Sequence, residues 1–323
     1  MKRIIFLLLV VLAGSFVFSS ELVLYSYDSM IPLIESIKDD FLNETGIELN
    51  LKTYGDSGAV FTKLISEGEK TQCDIFIGID SLMVESAKEK DIFLSYKPSN
   101  LNNIVDENLL VDGDFYLIPY DYGPIAFVYR EAETGKLDGL KMEDLTEKRY
   151  SKSIIVQDPR TSSTGLSFLM WTHSLFGDDY IDFWKNFKGS LLTITMGWDD
   201  AFQKFEMGEA PIMLSYGTDG AYSYEYYGST EYQIFIPEPG YVQIETAGII
   251  KYSDNPEEAK IFMEYMLSDN FQKNIPLNQW MFPVIEVELP ESFSYAVKPD
   301  NIVNLDLRKD IDELISGWES AIY

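Results

Sequence analysis

The chain has 323 residues, with 25 Lys and Arg against 53 Asp and Glu, for a formal net charge of −28. A chain this acidic repels phosphate backbones and anionic lipid, so nucleic acid and membrane surfaces are disfavoured partners and a cationic or neutral ligand is favoured. Its one cysteine, Cys73, excludes an intrachain disulfide framework and a Cys-rich zinc site, and its one histidine, His173, excludes multi-histidine metal centres.

The chain opens with Lys2-Arg3, then an apolar run from Ile4 to Ala13, then small residues around Val17-Phe18-Ser19. That is the layout of a cleaved secretory signal over residues 1–19, and the run is shorter than the roughly 20 residues a membrane span requires. With no cysteine near the cleavage point, lipid attachment there is excluded, and the mature chain is expected in the periplasm.

From Glu21 onward strands and helices alternate. Glu21–Tyr27 reads as a buried strand, and Ser29 is a candidate cap for a helix with Ile31, Leu33, Ile34, Ile37 and Phe41 on one face, Pro32 in its first turn and Gly46 as its stop. Ile47–Lys52 alternates as a half-buried strand does. The loop Gly55-Asp56-Ser57-Gly58 leads into a helix holding Val60 and Leu64, and Asp74–Asp80 is a continuous apolar strand. This repetition predicts an α/β fold built on mostly parallel sheets, with ligands beyond the carboxyl ends of the strands near Asp28, Asp56 and Asp80.

A long extended stretch, Phe115–Tyr129, broken by Pro119, Gly123 and Pro124, predicts a crossover into a second α/β unit. That unit holds strands at Ile154–Val156, Leu192–Thr195 and Ile212–Ser215, and Tyr241–Ile250 predicts the return crossover. The expected division is a first lobe over 20–120 with about 246–290, a second lobe over 121–245, and a C-terminal segment, 291–323, whose terminal helix packs on the lobes.

Common catalytic signatures are absent: the sequence has no G-x-G-x-x-G, no G-x-x-x-x-G-K-[ST] and no G-x-S-x-G. His173 and Cys73 read as packing residues rather than as base or nucleophile, so no enzyme is expected. The informative residues are aromatics and acids at loop positions. Trp198, Tyr216, Tyr222 and Trp280, with Asp28, Asp56 and Asp121, suit a flat cation whose charge meets ring faces and whose polar edge meets carboxylates.

Asn255-Pro256-Glu257-Glu258-Ala259-Lys260, followed by Phe262–Asp269, resembles the late helix of bacterial solute-binding proteins. Tyr25–Ser29, Tyr120–Gly123, Gln157–Ser162, Gly197-Trp198, Leu214–Tyr216 and Trp280-Met281 resemble, in order, the periplasmic thiamine-binding proteins of ABC importers. The resemblance implies a two-lobed type II periplasmic-binding-protein fold that closes on thiamine, thiamine monophosphate or thiamine diphosphate as its transported ligand, with no cofactor or metal. It implies a membrane permease as partner and a monomeric protein. Carried over by position, the ligand contacts are Tyr27, Asp28, Asp56, Ser57, Ser162, Ser163, Trp198, Tyr216, Gly217, Thr218, Asp219, Tyr222 and Trp280. Asp219 stands where a hydroxyl residue is expected, and facing the site it would disfavour a phosphorylated ligand. The alternatives are a ferric-ion binder using Tyr226-Tyr227, a polyamine binder of the same fold, and a secreted carbohydrase.

Overall fold

The computed structural model describes residues 20–228, 231–303 and 310–323. The expected signal segment, 1–19, lies outside the described residues. In chain order the main elements are β1 (Ser20–Ser26), α1 (Ile31–Thr45), β2 (Ile47–Thr53), α2 (Ser57–Glu67), β3 (Ile75–Asp80) and the long β4 (Ile118–Tyr129). They continue as β5 (Ile154–Gln157), α3 (Ser163–Phe176), α4 (Tyr180–Phe187), β6 (Leu191–Thr195), α5 (Trp198–Glu206), β7 (Ile212–Tyr216) and α6 (Asp219–Tyr227). The return strand β8 (Tyr241–Ile250), α7 (Pro256–Met266) and α8 (Ile311–Ile322) complete the set.

The sheet runs β2-β1-β3-β8-β4-β7-β5-β6. Within each lobe the outer strands are parallel, β1 with β2 and β3, and β5 with β6 and β7. The two crossover strands differ from that pattern. β8 is antiparallel to both β3 and β4, and β4 is antiparallel to β7, so the crossovers join the mostly parallel strands of the two lobes into one curled, continuous sheet. Pairing the crossovers satisfies backbone groups that would otherwise lie bare at the junction.

Two cores flank the junction. One collects Leu22–Tyr120 side chains with Ala247–Ile285, among them Phe41, Phe76 and Phe262. The other collects Ile125–Tyr241 side chains with Leu314, Trp318, Ala321 and Ile322, so α8 seals the second lobe. Trp318 meets Trp184 edge to face at 6.1 Å. Every residue of β3 is buried, as its unbroken apolar run predicts for a strand covered on both faces, and each large side chain there stabilises the fold by roughly 1.5–3 kcal/mol.

Two local expectations are corrected. Ser29 does not cap α1: it sits in a short 3₁₀ turn, Asp28–Met30, and α1 begins at Ile31 with Pro32 in its first turn. Met30, just before α1, already has helical backbone at φ −75° and ψ −16°, so the 3₁₀ turn runs into the helix without the extended N-cap position a side-chain cap uses. The helix does stop at Gly46, whose φ of +76° is the left-handed conformation glycine tolerates. β2 does not alternate cleanly, because it is the edge strand with one neighbour and is half-buried along most of its length.

Candidate functional site

The carboxyl ends of the lobe strands and both crossovers converge on a cavity of about 510 Å³ between the lobes. The first lobe lines it with Tyr27, Asp28, Asp56 and residues 277–281, and the second with Ser163, Thr164, Trp198, Asp199, Phe202, Tyr216, Asp219, Tyr222 and Tyr226. Glu245 of β8 also lines it. The described lining contains five carboxyls and no Lys, Arg or His.

The aromatic wall grows from helix periodicity. Trp198 and Phe202 are one turn apart on α5 and stack with centroids 4.7 Å apart at 18°. The Trp198 indole N–H donates to Ser215 Oγ at 2.9 Å, which fixes the ring plane. Tyr222 of α6 meets Phe202 edge-on at 5.1 Å and Trp280 at 5.1 Å and 80°, so aromatic contact runs from the second lobe to the late segment of the first. Trp280 has a φ of +57°, unusual for a bulky residue, and such strain persists where the surroundings enforce it.

Asp56 joins the lobes. It caps α2 by accepting from Ser57 N–H at 2.7 Å. Its other oxygen accepts from Trp198 N–H at 3.1 Å. Helix α5 begins after Gly197 with no side-chain cap of its own, so a carboxylate from the opposite lobe satisfies an orphan donor at its positive end. The lobes also touch where a Cβ on Gly58 would lie 2.8 Å from the Thr161 carbonyl oxygen. These contacts close the cleft over the cavity.

Burial raises the acids in this space. Desolvation lifts Asp56 above the usual carboxylate range despite its hydrogen bonds to Ser57, Ser162 and Trp198. Asp199 is pushed up to about 6 by burial and by the charges of Asp56 and Asp28. Asp219 is pushed up to about 7 by burial, and its Oδ2 has no partner among the described residues.

Of the thirteen residues expected at the site, nine line the cavity: Tyr27, Asp28, Asp56, Ser163, Trp198, Tyr216, Asp219, Tyr222 and Trp280. Four do not. Ser57 is buried with its hydroxyl donating to the Gly78 carbonyl, and Ser162 caps α3 by accepting from Gly165 N–H at 3.5 Å. Gly217 packs against the 297 backbone, donating to Pro124 O at 2.8 Å and accepting from Val297 N–H at 2.8 Å, and Thr218 is fully buried behind it. Asp121, named with the acids, lies buried behind the wall. The tyrosine pair of the iron alternative is divided: Tyr226 lines the cavity, whereas the Tyr227 hydroxyl donates to Glu206 at 2.7 Å. His173 packs edge-on against Tyr180 and Cys73 is buried, its thiol pushed well up.

Sequence reasoning missed Asp199, Phe202, Glu245 and Gln279. Phe202 was legible as the i+4 partner of Trp198. Glu245 was hidden in a strand read only as a connection.

Two α/β lobes joined by two crossover strands around a cavity are the architecture of a ligand-capturing protein, and the chain belongs to the bacterial extracellular solute-binding proteins, whose family model matches residues 70–306. It is 33% identical to the thiamine-binding periplasmic protein of Brucella melitensis over 93% of this chain and 92% of that one. It is 30% identical to the thiamine-binding periplasmic protein of Salmonella typhimurium over 100% of this chain and 99% of that one. A solved periplasmic thiamin-binding protein superposes with a TM-score of 0.87 at 29% identity, over 94% of this chain and 97% of its own. Among the described residues no helix is long and apolar enough to cross a membrane.

Proposed function

We propose that this chain captures thiamine in the periplasm, after export by a cleaved signal, and delivers it unchanged to the membrane permease of an ABC importer. The observation that carries the reading is the pairing of an aromatic wall with five carboxyls and no basic residue in the described lining of one cavity between the lobes. Thiamine is a flat ring cation with an amino-bearing pyrimidine. Ring faces attract the thiazolium charge, and carboxylates accept from the amino group. The thiamine-binding relatives, similar along nearly their whole length, support the same ligand.

The free vitamin matches this lining better than its monophosphate or diphosphate. Phosphate adds negative charge beside Asp56, Asp199 and Asp219, and the donor at the start of α5 is already taken by Asp56. No nucleophile–base pair stands in the cavity among the described residues, so the role proposed is capture without turnover by a monomer. Mass spectrometry of the ligand released from purified protein tests the reading: intact thiamine is expected, and a polyamine, a sugar or iron in its place would overturn it.

A further inference from the structure

Three carboxyls lie in one row at the base of the cavity. Glu245 of β8 is the direct register partner of Asp80 on β3 and of Asp121 on β4. All three are at most 4% exposed. Like charges directly opposite one another destabilise a sheet, and in so dry a setting adjacent carboxyls do not all ionise.

Their partners differ. Asp80 accepts from Leu82 N–H at 2.7 Å and from Ser167 Oγ at 3.2 Å. Glu245 accepts from the phenol hydroxyls of Tyr27 at 2.8 Å and Tyr120 at 3.2 Å, and it reaches the cavity. Neither oxygen of Asp121 has an N–H or O–H donor among the described residues, and the carboxyl directly across the register from it is that of Glu245. A carboxylate only accepts, so this contact becomes a hydrogen bond when one of the two acids keeps its proton. The acid with no other donor holds that proton most favourably. The acid with two phenol donors holds the charge.

We propose that Asp121 and Glu245 share one proton, that Glu245 is thereby the ionised counter-ion for a cationic ligand at the cavity floor, and that Asp121 is a positioning residue acting through that proton. The counter-ion half rests on the cationic-ligand reading above. The shared proton stands, whatever the ligand, on the register, the burial and the unequal donor sets of the two acids.

The groups facing Glu245 are Tyr27 at the end of β1, Asp80 of β3, Tyr120 and Asp121 of β4, Tyr216 of β7, Gln243 on its own strand and, farther out, Asp56 at the start of α2. None is a cation. Burial lifts Glu245 to about 7 and Asp121 well above the carboxylate range. Above that pH the pair keeps one proton and presents one negative charge to the ligand. Below it Glu245 is neutralised, so affinity for a cation rises with pH through about 7 and then levels off.

The test has two arms. In the free protein at about pH 8, the infrared carbonyl stretch of at least one un-ionised carboxyl per chain should be present, and Asp121→Asn should lower it by about one carboxyl per chain; its absence from the wild type, or an unchanged intensity in Asp121→Asn, overturns the shared proton. In thiamine titrations at about pH 8, Glu245→Gln should weaken binding on the order of ten- to a hundredfold, and a change within about twofold overturns the counter-ion. Asp121→Ala removes the donor to Glu245 and should move the pH midpoint of binding upward, and Asp121→Asn, whose amide donates in its place, should restore it. Failure of Asn to rescue overturns the positioning role. Should the wild type bind no thiamine at any pH, the ligand reading falls together with the counter-ion, and the infrared arm still decides the proton.

Discussion

The first lobe meets the cavity mainly through loops, with Asp28 after β1 and Asp56 ahead of α2, whereas the second meets it through helices that carry Trp198, Phe202 and Tyr222. The first lobe places Asp28 and Asp56 in loops, and the second concentrates ring faces on its helices, with Asp199 and Asp219 beside them. Charge-assisted hydrogen bonds demand close geometry, and an aromatic wall tolerates a shift of the ligand in its plane. The difference teaches what the contact between the lobes does: the carboxylate of Asp56 reaches the start of α5 across the cleft, so the loop that carries it is fixed against the helix that carries the rings.

Removing the charged half should have the largest effect. Asp56→Asn keeps the cap on α2, since asparagine caps as well as aspartate, and it weakens the bridge to Trp198. Thiamine affinity is expected to fall on the order of ten- to a hundredfold, equivalent to about 1.5–3 kcal/mol, with thermal stability unchanged. Calorimetry and a melting curve on the same protein check both parts. Unchanged affinity would leave Asp56 as a cap only.

Holding the halves apart without touching either comes next. Gly58→Ala places a methyl against the Thr161 carbonyl, 2.8 Å away, at a position that is not on the cavity wall. A clash of this kind costs about 1–3 kcal/mol, so affinity should drop at least severalfold. In small-angle scattering the ligand-bound variant should keep a larger radius of gyration than the ligand-bound wild type.

Thinning the aromatic half is expected to be milder. Trp198→Ala and Trp280→Ala each remove a ring face worth on the order of 1–2 kcal/mol to a desolvated cation, or roughly five- to thirtyfold in affinity. Fluorescence or calorimetric titration checks each one, and a change within about twofold would reassign that tryptophan to packing.

Proton binding sharpens the electrostatic side. Asp80, Asp219 and Glu245 are raised to about 7, above their unfolded values of about 4. Between those limits the folded state binds more protons than the unfolded chain, so stability of the free protein is fullest below about pH 4 and declines as pH rises through about 7. Ligand-induced stabilisation should run the opposite way, growing with pH as the carboxylates ionise. Melting curves at several pH values, with and without thiamine, measure both slopes.

The architecture was legible because the signals were local. The apolar run at Asp74–Asp80, the Gly46 stop and the Pro-broken crossover at Phe115–Tyr129 each carry their own physics. Most of the site was legible through aromatics and acids at strand ends and through a family resemblance. What escaped depended on register and closure. Nothing in Tyr241–Ile250 marks Glu245 as opposite Asp121 until β8 and β4 are paired, and the shift after Glu245 decides that pairing. Ser57 and Thr218 look like ligand hydroxyls in sequence, yet packing turns them inward to bury their side chains. The missing cap of α5 becomes informative only when the other lobe supplies it.

The central claim is that both halves act on one thiamine molecule. Isothermal titration calorimetry of the purified, folded wild type with thiamine, followed by chemical analysis of the recovered ligand, tests it most directly. The account predicts one thiamine bound per chain, recovered intact, with weaker binding of the diphosphate. A folded protein that binds neither thiamine nor either phosphate ester would contradict it.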